Sequence, residues 1–483
     1  MNRLLLATAA SLALAGCANF APDHVRPEPA TPPVYDQSLR QDGSVIASRL
    51  SYKEWFRDPR LNALIATALA NNRDLVIATA RIEQARARYR IQDSRRLPNL
   101  VAQASGTRTR QSLAANPVII PPGDADGAPA SVTYDRFDVG VGVSAFELDF
   151  WGRIANLSEA ARARYLASAA AQRAFYLSLI ADTANSYIAA LETREQIKLA
   201  QATADGRVEG LRIAKLRFDQ GVTSELPYRQ AETLLTQAQQ QLASQKLSLA
   251  QIENQLTVLV GGRIPDDLPP GLDLLDQQDE RRLDPGLPSD LLLVRPDIIA
   301  AEEQLRAARA DIGAARAAFF PTISLTGNAG FSSSSLDGLF SSDTLGWSFG
   351  PSISLPIFDW GARQGDLDLA RALEVEEVAN YDKTVQVAFR EVSDALAGRR
   401  YLDDQIAALE RGVTAQQRIA RIANLRYREG VADYLEVLDA ERSLFEAQQR
   451  LLATRRAWIQ NSATLFVALG GGIGDAEPMA SGG

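Results

Sequence analysis

The chain has 483 residues, a formal net charge of −8 and 23% charged residues. This length suits about two to four domains or one large repeated structure, and the acidic balance argues against a nucleic-acid partner. The sequence has one histidine, His24, and one cysteine, Cys17, whereas a zinc site of these residues needs about three or four ligands. The phosphate-binding and nucleophile motifs of common enzyme families are also absent from it. We therefore expect no metal, no cofactor and no enzymatic activity.

The N-terminus has the pattern of a secretory signal. A positively charged start is followed by an apolar run from Leu4 to Ala15, which is shorter than the roughly 20 residues of a membrane-spanning helix. The run ends in Leu14-Ala15-Gly16-Cys17, which resembles the lipobox of bacterial lipoproteins. That resemblance implies cleavage before Cys17 and lipidation of its thiol, and Ala18 at the next position favours the outer membrane. An ordinary signal peptide that contains a cysteine is the alternative.

The sequence contains an internal duplication. Leu216–Val222 matches Leu425–Val431, 209 positions later, and Trp151-Gly152 matches Trp360-Gly361 at the same spacing. Self-similarity over this length indicates two copies of one structural unit. The predicted organisation is a signal peptide at 1–16, a lipidated N-terminal segment at 17–60, a first repeat at 61–260, a Pro-rich linker at 261–290, a second repeat at 291–470 and a flexible C-terminal tail at 471–483.

Each copy begins with an Ala/Arg-rich helical pattern, at Leu61–Arg96 and Asp297–Ala318, and continues with two strands. Apolar residues alternate with small or polar residues from Val139 to Ala145 and from Leu345 to Leu355, as in a strand with one apolar and one polar face. Four strands cannot close a membrane barrel, and an open edge is not tolerated in lipid. If the strands lie in a membrane, we favour three chains with twelve strands; soluble β-hairpins are the alternative.

Long helices follow the strands. No proline occurs between Gly152 and Gln220, so this helix would reach about 100 Å. Apolar residues then recur every seven positions between Leu226 and Val260, and again between Val437 and Leu465, which predicts left-handed supercoiling. Two separate coiled-coil hairpins, as in a structural or adaptor lipoprotein that spans the periplasm, remain the alternative.

Motifs along the whole chain resemble those of the outer membrane factor (TolC-like) family, in particular its NodT-type lipoprotein branch, which serves multidrug efflux systems of the RND type. The motifs are Trp55–Leu61, Ala80–Ala87, Arg295–Asp297, Ala314–Pro321 and Leu355–Asp359. The resemblance implies a mainly α chain with membrane β structure: a homotrimer whose twelve-stranded outer membrane β-barrel, with four strands per chain, continues into a long periplasmic α-helical barrel.

The same resemblance implies a passive exit channel for drugs or other small molecules, closed at its periplasmic tip. Its implied partners are outer membrane lipid, a periplasmic adaptor (membrane fusion protein) and an inner membrane RND transporter, and the adaptor or pump opens the channel. The chain would extend from the outer membrane into the periplasm.

In this family the gate lies on the helix after the second turn, and the pattern maps onto Tyr427, Leu435, Glu436, Asp439 and Arg442. Asp439 and Arg442 are three positions apart, so both can face one direction of a helix. A solvated helix face is the alternative.

The first copy departs from the gate pattern, with Pro227 and Gln230 in place of Glu436 and Asp439. Only one helix pair per protomer is therefore expected to carry the acidic ring. Gly221 and Gly430 are expected to form the tip turns, because glycine tolerates positive φ. A simple helix C-cap role is the alternative.

Overall fold

The computed structural model describes residues 19–28, 31–32, 35, 45–46, 50–112, 131–277, 283–284 and 288–471. The predicted signal peptide, the lipidation at Cys17 and all but the first residue of the predicted tail lie outside these ranges. The chain divides into two compact units, each built from segments of both sequence repeats. The sheet unit comprises 1–26, 84–165 and 303–378, and the helix unit comprises 27–83, 166–302 and 379–483.

Helices dominate the described part of the chain, and the longest have 67 residues each. None of the helices described has a segment long and apolar enough to cross a membrane. In chain order they are α1 (Tyr52–Trp55), α2 (Pro59–Asn71), α3 (Arg73–Asp93), α4 (Arg153–Asp219), α5 (Glu225–Val260), α6 (Pro288–Val294), α7 (Pro296–Ala317), α8 (Ala362–Arg428) and α9 (Tyr434–Ala468).

The helical pattern at Leu61–Arg96 forms two helices rather than one. Asn72 ends α2, since its backbone N–H donates to the Ala68 carbonyl, and its Oδ1 accepts from the Leu75 N–H at 3.0 Å in the first turn of α3. The Nδ2 of the same side chain donates to the Leu259 carbonyl of α5 at 2.9 Å. One asparagine thus separates two helices and fixes them against a third.

The described strands are β1 (Val45–Ile46), β2 (Leu100–Ser112), β3 (Ser131–Glu147), β4 (Leu283–Asp284), β5 (Thr322–Ser333) and β6 (Leu345–Ser354). β1 and β4 form a short parallel pair in the helix unit. The other four form an antiparallel sheet in the order β2–β3–β5–β6. Each repeat therefore contributes one hairpin, as the alternation predicted, and within the described residues β2 and β6 each pair on one side only.

The two faces of this sheet differ in chemistry. Paired residues of antiparallel strands point to the same face, so the register places Ala104, Val139, Phe331 and Leu345 in one row. The adjacent row, on the opposite face, consists of Gln103, Gly140, Gly330 and Gly346. We call these the apolar face and the polar face. Gly140 and Gly330 also permit close strand packing, because a Cβ at Gly330 would lie 2.5 Å from the Val139 carbonyl oxygen.

A buried carboxylate holds the helix unit together near its N-terminal segment. Asp58 is fully buried and caps α2 by accepting the Arg60 and Leu61 N–H groups at 2.8 and 3.2 Å. It also accepts hydrogen bonds from three groups far along the chain: Tyr187 Oη, the Leu272 N–H and Gln277 Nε2. The carboxylate therefore joins α2, α4 and the segment after α5.

Candidate functional site

The two long helical hairpins of the helix unit end in equivalent turns. After α4, the Val222 N–H donates to the Arg217 carbonyl at 2.9 Å and the Gly221 N–H to Phe218. After α8, the Val431 N–H donates to the Arg426 carbonyl at 2.9 Å and the Gly430 N–H to Tyr427. This pair of bonds is the Schellman motif, which requires a left-handed residue. Gly221 and Gly430 supply it with φ values of 69° and 75°.

Small residues let the two hairpins pack closely beside these turns. The buried cluster contains alanines from all four helices, together with Tyr427, Tyr434 and Val437. The rings of Tyr427 and Tyr434 lie 5.0 Å apart across the second turn. Gly210 of α4 leaves space for the Tyr434 hydroxyl, since a Cβ there would lie 3.3 Å from it. Burial, together with the charges of Glu441 and Tyr427, raises the pKa of Tyr434 to about 12.

The predicted gate residues Leu435, Asp439 and Arg442 lie on one exposed face of α9. Their spacing of four and three positions is the helical repeat. Arg442 Nη2 lies 2.6 Å from Asp439 Oδ1, and the two side chains are 62% and 67% exposed. Leu435 is 62% exposed. The ion pair therefore forms within a single chain, and an apolar side chain precedes it by one turn.

The other two predicted gate residues occupy different surroundings. Glu436 forms an ion pair across the second turn, with 2.6 Å between its Oε1 and Arg426 Nη1. Tyr427 is buried inside the cluster, and its hydroxyl has no hydrogen-bond partner among the described residues. The structure thus separates the predicted set into an exposed group on α9, a glutamate paired across the turn and a buried tyrosine at the end of α8.

One contact that the sequence did not predict links the two hairpins. The guanidinium of Arg217, near the end of α4, lies 4.7 Å from the centre of the Tyr427 ring. Its Nη1 also donates to the Tyr427 carbonyl at 3.3 Å. That carbonyl belongs to the last turn of α8, where a cation is favourable. Arg217 therefore fastens the first hairpin to the end of α8.

Comparison with known proteins assigns the chain to a family. The family model described as outer membrane efflux protein matches residues 64–262 and 287–471. The chain belongs to this family. The solvent efflux pump outer membrane protein SrpC of Pseudomonas putida is 42% identical over 468 residues, which cover 96% of this chain and 97% of SrpC. The cation efflux system protein CusC of Escherichia coli is 39% identical over 474 residues, covering 97% and 98%.

Solved structures of other outer membrane channels share the fold of this outer membrane efflux protein. The open state of the Neisseria gonorrhoeae MtrE channel superposes with a TM-score of 0.82 at 37% identity, over 94% of this chain and 98% of MtrE. The outer membrane channel OprN gives a TM-score of 0.83 at 30% identity, over 94% and 99%. The family, the mainly helical fold with four long strands, the efflux role and the outer membrane location predicted from the sequence are therefore confirmed.

Proposed function

We propose that the protein is the passive outer membrane channel of a tripartite efflux pump, assembled as a homotrimer. The observation that carries this proposal is the four-stranded sheet, which has one apolar face, one polar face and two edge strands that, among the described residues, pair on one side only. Pairing of β2 from one chain with β6 from the next would remove every edge in a twelve-stranded barrel. The apolar face would then meet lipid and the polar face would line a water-filled pore.

The exposed face of α9 is the proposed gate. In a trimer, three copies of Leu435, Asp439 and Arg442 would surround the axis at the helix-turn end. Each Asp439–Arg442 pair neutralises itself within one chain, so the ring closes without the repulsion of three bare carboxylates. Exposed ion pairs of this kind are worth only about 0–1 kcal/mol. Because the pair lies within one helix, it does not itself hold the chains together, and its rearrangement would cost little when a partner opens the channel.

The proposed partners are a periplasmic adaptor and an inner membrane RND transporter. Support comes from apolar side chains exposed at both turns, namely Val222, Leu226 and Val431. Exposed apolar residues grouped at one end of a helical hairpin are typical of a protein contact. Curated relatives carry names that refer to solvent, toluene, antibiotics and cations, and for this chain we propose drugs or other small molecules as the exported class.

Planar-bilayer conductance of the purified protein tests the channel and its gate together. We expect a small conductance for the wild type and a strong increase for the double variant Asp439→Ala, Arg442→Ala. The matched control is Glu209→Ala, Arg212→Ala, which removes another exposed ion pair with the same spacing from α4. No conductance in any variant would contradict the channel, and an equal increase in the control would contradict the position of the gate.

Assembly and lipidation have separate tests. We expect the intact mass of the detergent-extracted protein to correspond to three chains, each carrying an acylated N-terminal residue derived from Cys17. The variant Cys17→Ala should lose the acyl mass. A monomeric wild type would contradict the proposed homotrimer, and an unacylated wild type would contradict the lipidation predicted at Cys17.

A further inference from the structure

The end of the sheet that carries the β-hairpin connections combines an apolar surface with paired cations. Gly106, Arg108 and Arg110 continue the row of β2 that begins with Ala102 and Ala104, so all five residues belong to the apolar face. The helices α4 and α8 follow the opposite end of the sheet, after β3 and β6. The two arginines therefore lie on the apolar face, at the end of the sheet opposite to the one from which α4 and α8 begin.

The arginines retain donors for a ligand. Arg108 Nε lies 3.1 Å from Asp135 Oδ1, and the Arg108 side chain is 76% exposed. Arg110 Nε donates to Ser131 Oγ at 3.0 Å. A guanidinium has five N–H donors, and within the described residues both contacts use the Nε. Because Asp135 balances only one of the two charges, the pair keeps a net positive charge.

An apolar groove lies on the same face as the arginines. Its volume is about 470 Å³, and its floor includes the small side chains of Ala102, Ala104 and Ala329. Phe331 and Phe340 form a wall, with their rings at 66° and their centres 5.5 Å apart. Phe340 comes from the connection between β5 and β6 and is 70% exposed. An open apolar groove with a floor of small residues beside aromatic rings suits a hydrocarbon chain.

We propose that this face binds a phosphorylated, multiply acylated lipid of the outer leaflet, with its phosphate on Arg108 and Arg110 and one acyl chain in the groove. Charge complementarity supports this occupant, because guanidinium groups form strong charge-assisted hydrogen bonds with phosphate. The inference rests on the proposed function, which brings the apolar face into contact with lipid and the β-hairpin end to the outer leaflet. The bound lipid would extend the apolar face of the sheet towards its β-hairpin end.

Native mass spectrometry of the detergent-extracted protein tests this site with diphosphorylated lipid A as the probe. The variant Arg108→Gln, Arg110→Gln removes both cations. The matched control Arg96→Gln, Arg136→Gln removes two exposed arginines as well. Arg96 precedes β2 at the helix end of the sheet, and Arg136 lies on the polar face, where it pairs with Asp138.

We expect the wild type and the control to retain lipid A equally. The affinity of the double variant for lipid A should fall by about tenfold or more, because charge-assisted hydrogen bonds to the phosphate are lost. Dephosphorylated lipid A should bind the wild type as weakly as lipid A binds the variant. Equal retention by all proteins would overturn the proposal, and so would displacement of lipid A by inorganic phosphate at equal concentration, which would indicate a simple anion site. The bilayer conductance of the same proteins reports separately on the channel.

Discussion

Replacement of Arg217 by alanine tests whether the contact between the two hairpins keeps the channel closed. The variant removes a cation–π contact of 4.7 Å and a hydrogen bond of 3.3 Å to the Tyr427 carbonyl. The first is worth about 0.5–1 kcal/mol at an exposed site, and a hydrogen bond of this length adds about as much. The variant therefore loses about 1–2 kcal/mol of the free energy that holds the two hairpins together in each protomer. This changes the ratio of separated to joined hairpins roughly 5- to 30-fold.

If opening separates the hairpins in all three protomers together, the effects multiply to about 10²- to 10⁴-fold. Planar-bilayer recordings measure this as an increase in open probability. Arg212→Ala is the matched control, because Arg212 pairs only with Glu209 of the same helix in the contacts described for it. Tyr427→Phe should stay closed, since it keeps the ring and the backbone carbonyl. A closed Arg217→Ala channel beside an open Asp439→Ala, Arg442→Ala channel would refute the role of this contact.

Three further predictions concern stability, measured as thermal midpoints of the detergent-solubilised protein. Gly430→Ala should lower the free energy of unfolding by about 1–2 kcal/mol, because its φ of 75° is strained for alanine. Gly412→Ala, within α8 and with open space around it, should be neutral or stabilising. Equal shifts of the thermal midpoint for the two variants would contradict this prediction. Asp58→Ala should lower the free energy of unfolding by about 3 kcal/mol or more, since it leaves five donors without their acceptor. Asp58→Asn should lower it by less. The raised pKa of Tyr434 predicts stability that is present below pH 10 and lost as the pH rises towards 12, so Tyr434→Phe should reduce the difference between midpoints at pH 8 and pH 11.

The helices and strands could be predicted from sequence wherever a single local pattern decides the structure. The absence of proline between Gly152 and Gln220 matches the observed α4, and the alternation after Val139 and Leu345 matches β3 and β6. The division at Asn72 could not be predicted in this way. Its side chain accepts a hydrogen bond in the first turn of α3 and also donates one to the Leu259 carbonyl, 187 positions away. A local sequence pattern carries no information about such a distant partner.

The candidate site shows the same limit. The spacing of Asp439 and Arg442 on one helix is enough to predict that they face the same direction, and the observed distance of 2.6 Å agrees with it. The contact of Arg217 with Tyr427 joins residues 210 positions apart in different repeats. Helical periodicity predicts only neighbours on the same helix, so this contact required the three-dimensional packing of the hairpins.

The duplication nevertheless explains why Arg217 makes that contact. Its counterpart in the second repeat, Arg426, pairs with Glu436 across its own turn, and the position that corresponds to Glu436 in the first repeat is Pro227. Without an acid at this position, Arg217 binds the end of α8 instead. Pro227→Glu should restore the pair within the first hairpin, draw Arg217 away from Tyr427 and raise the open probability as Arg217→Ala does. The double variant Pro227→Glu, Arg217→Ala should then add nothing to Arg217→Ala, and an additive increase would show that the two changes act independently.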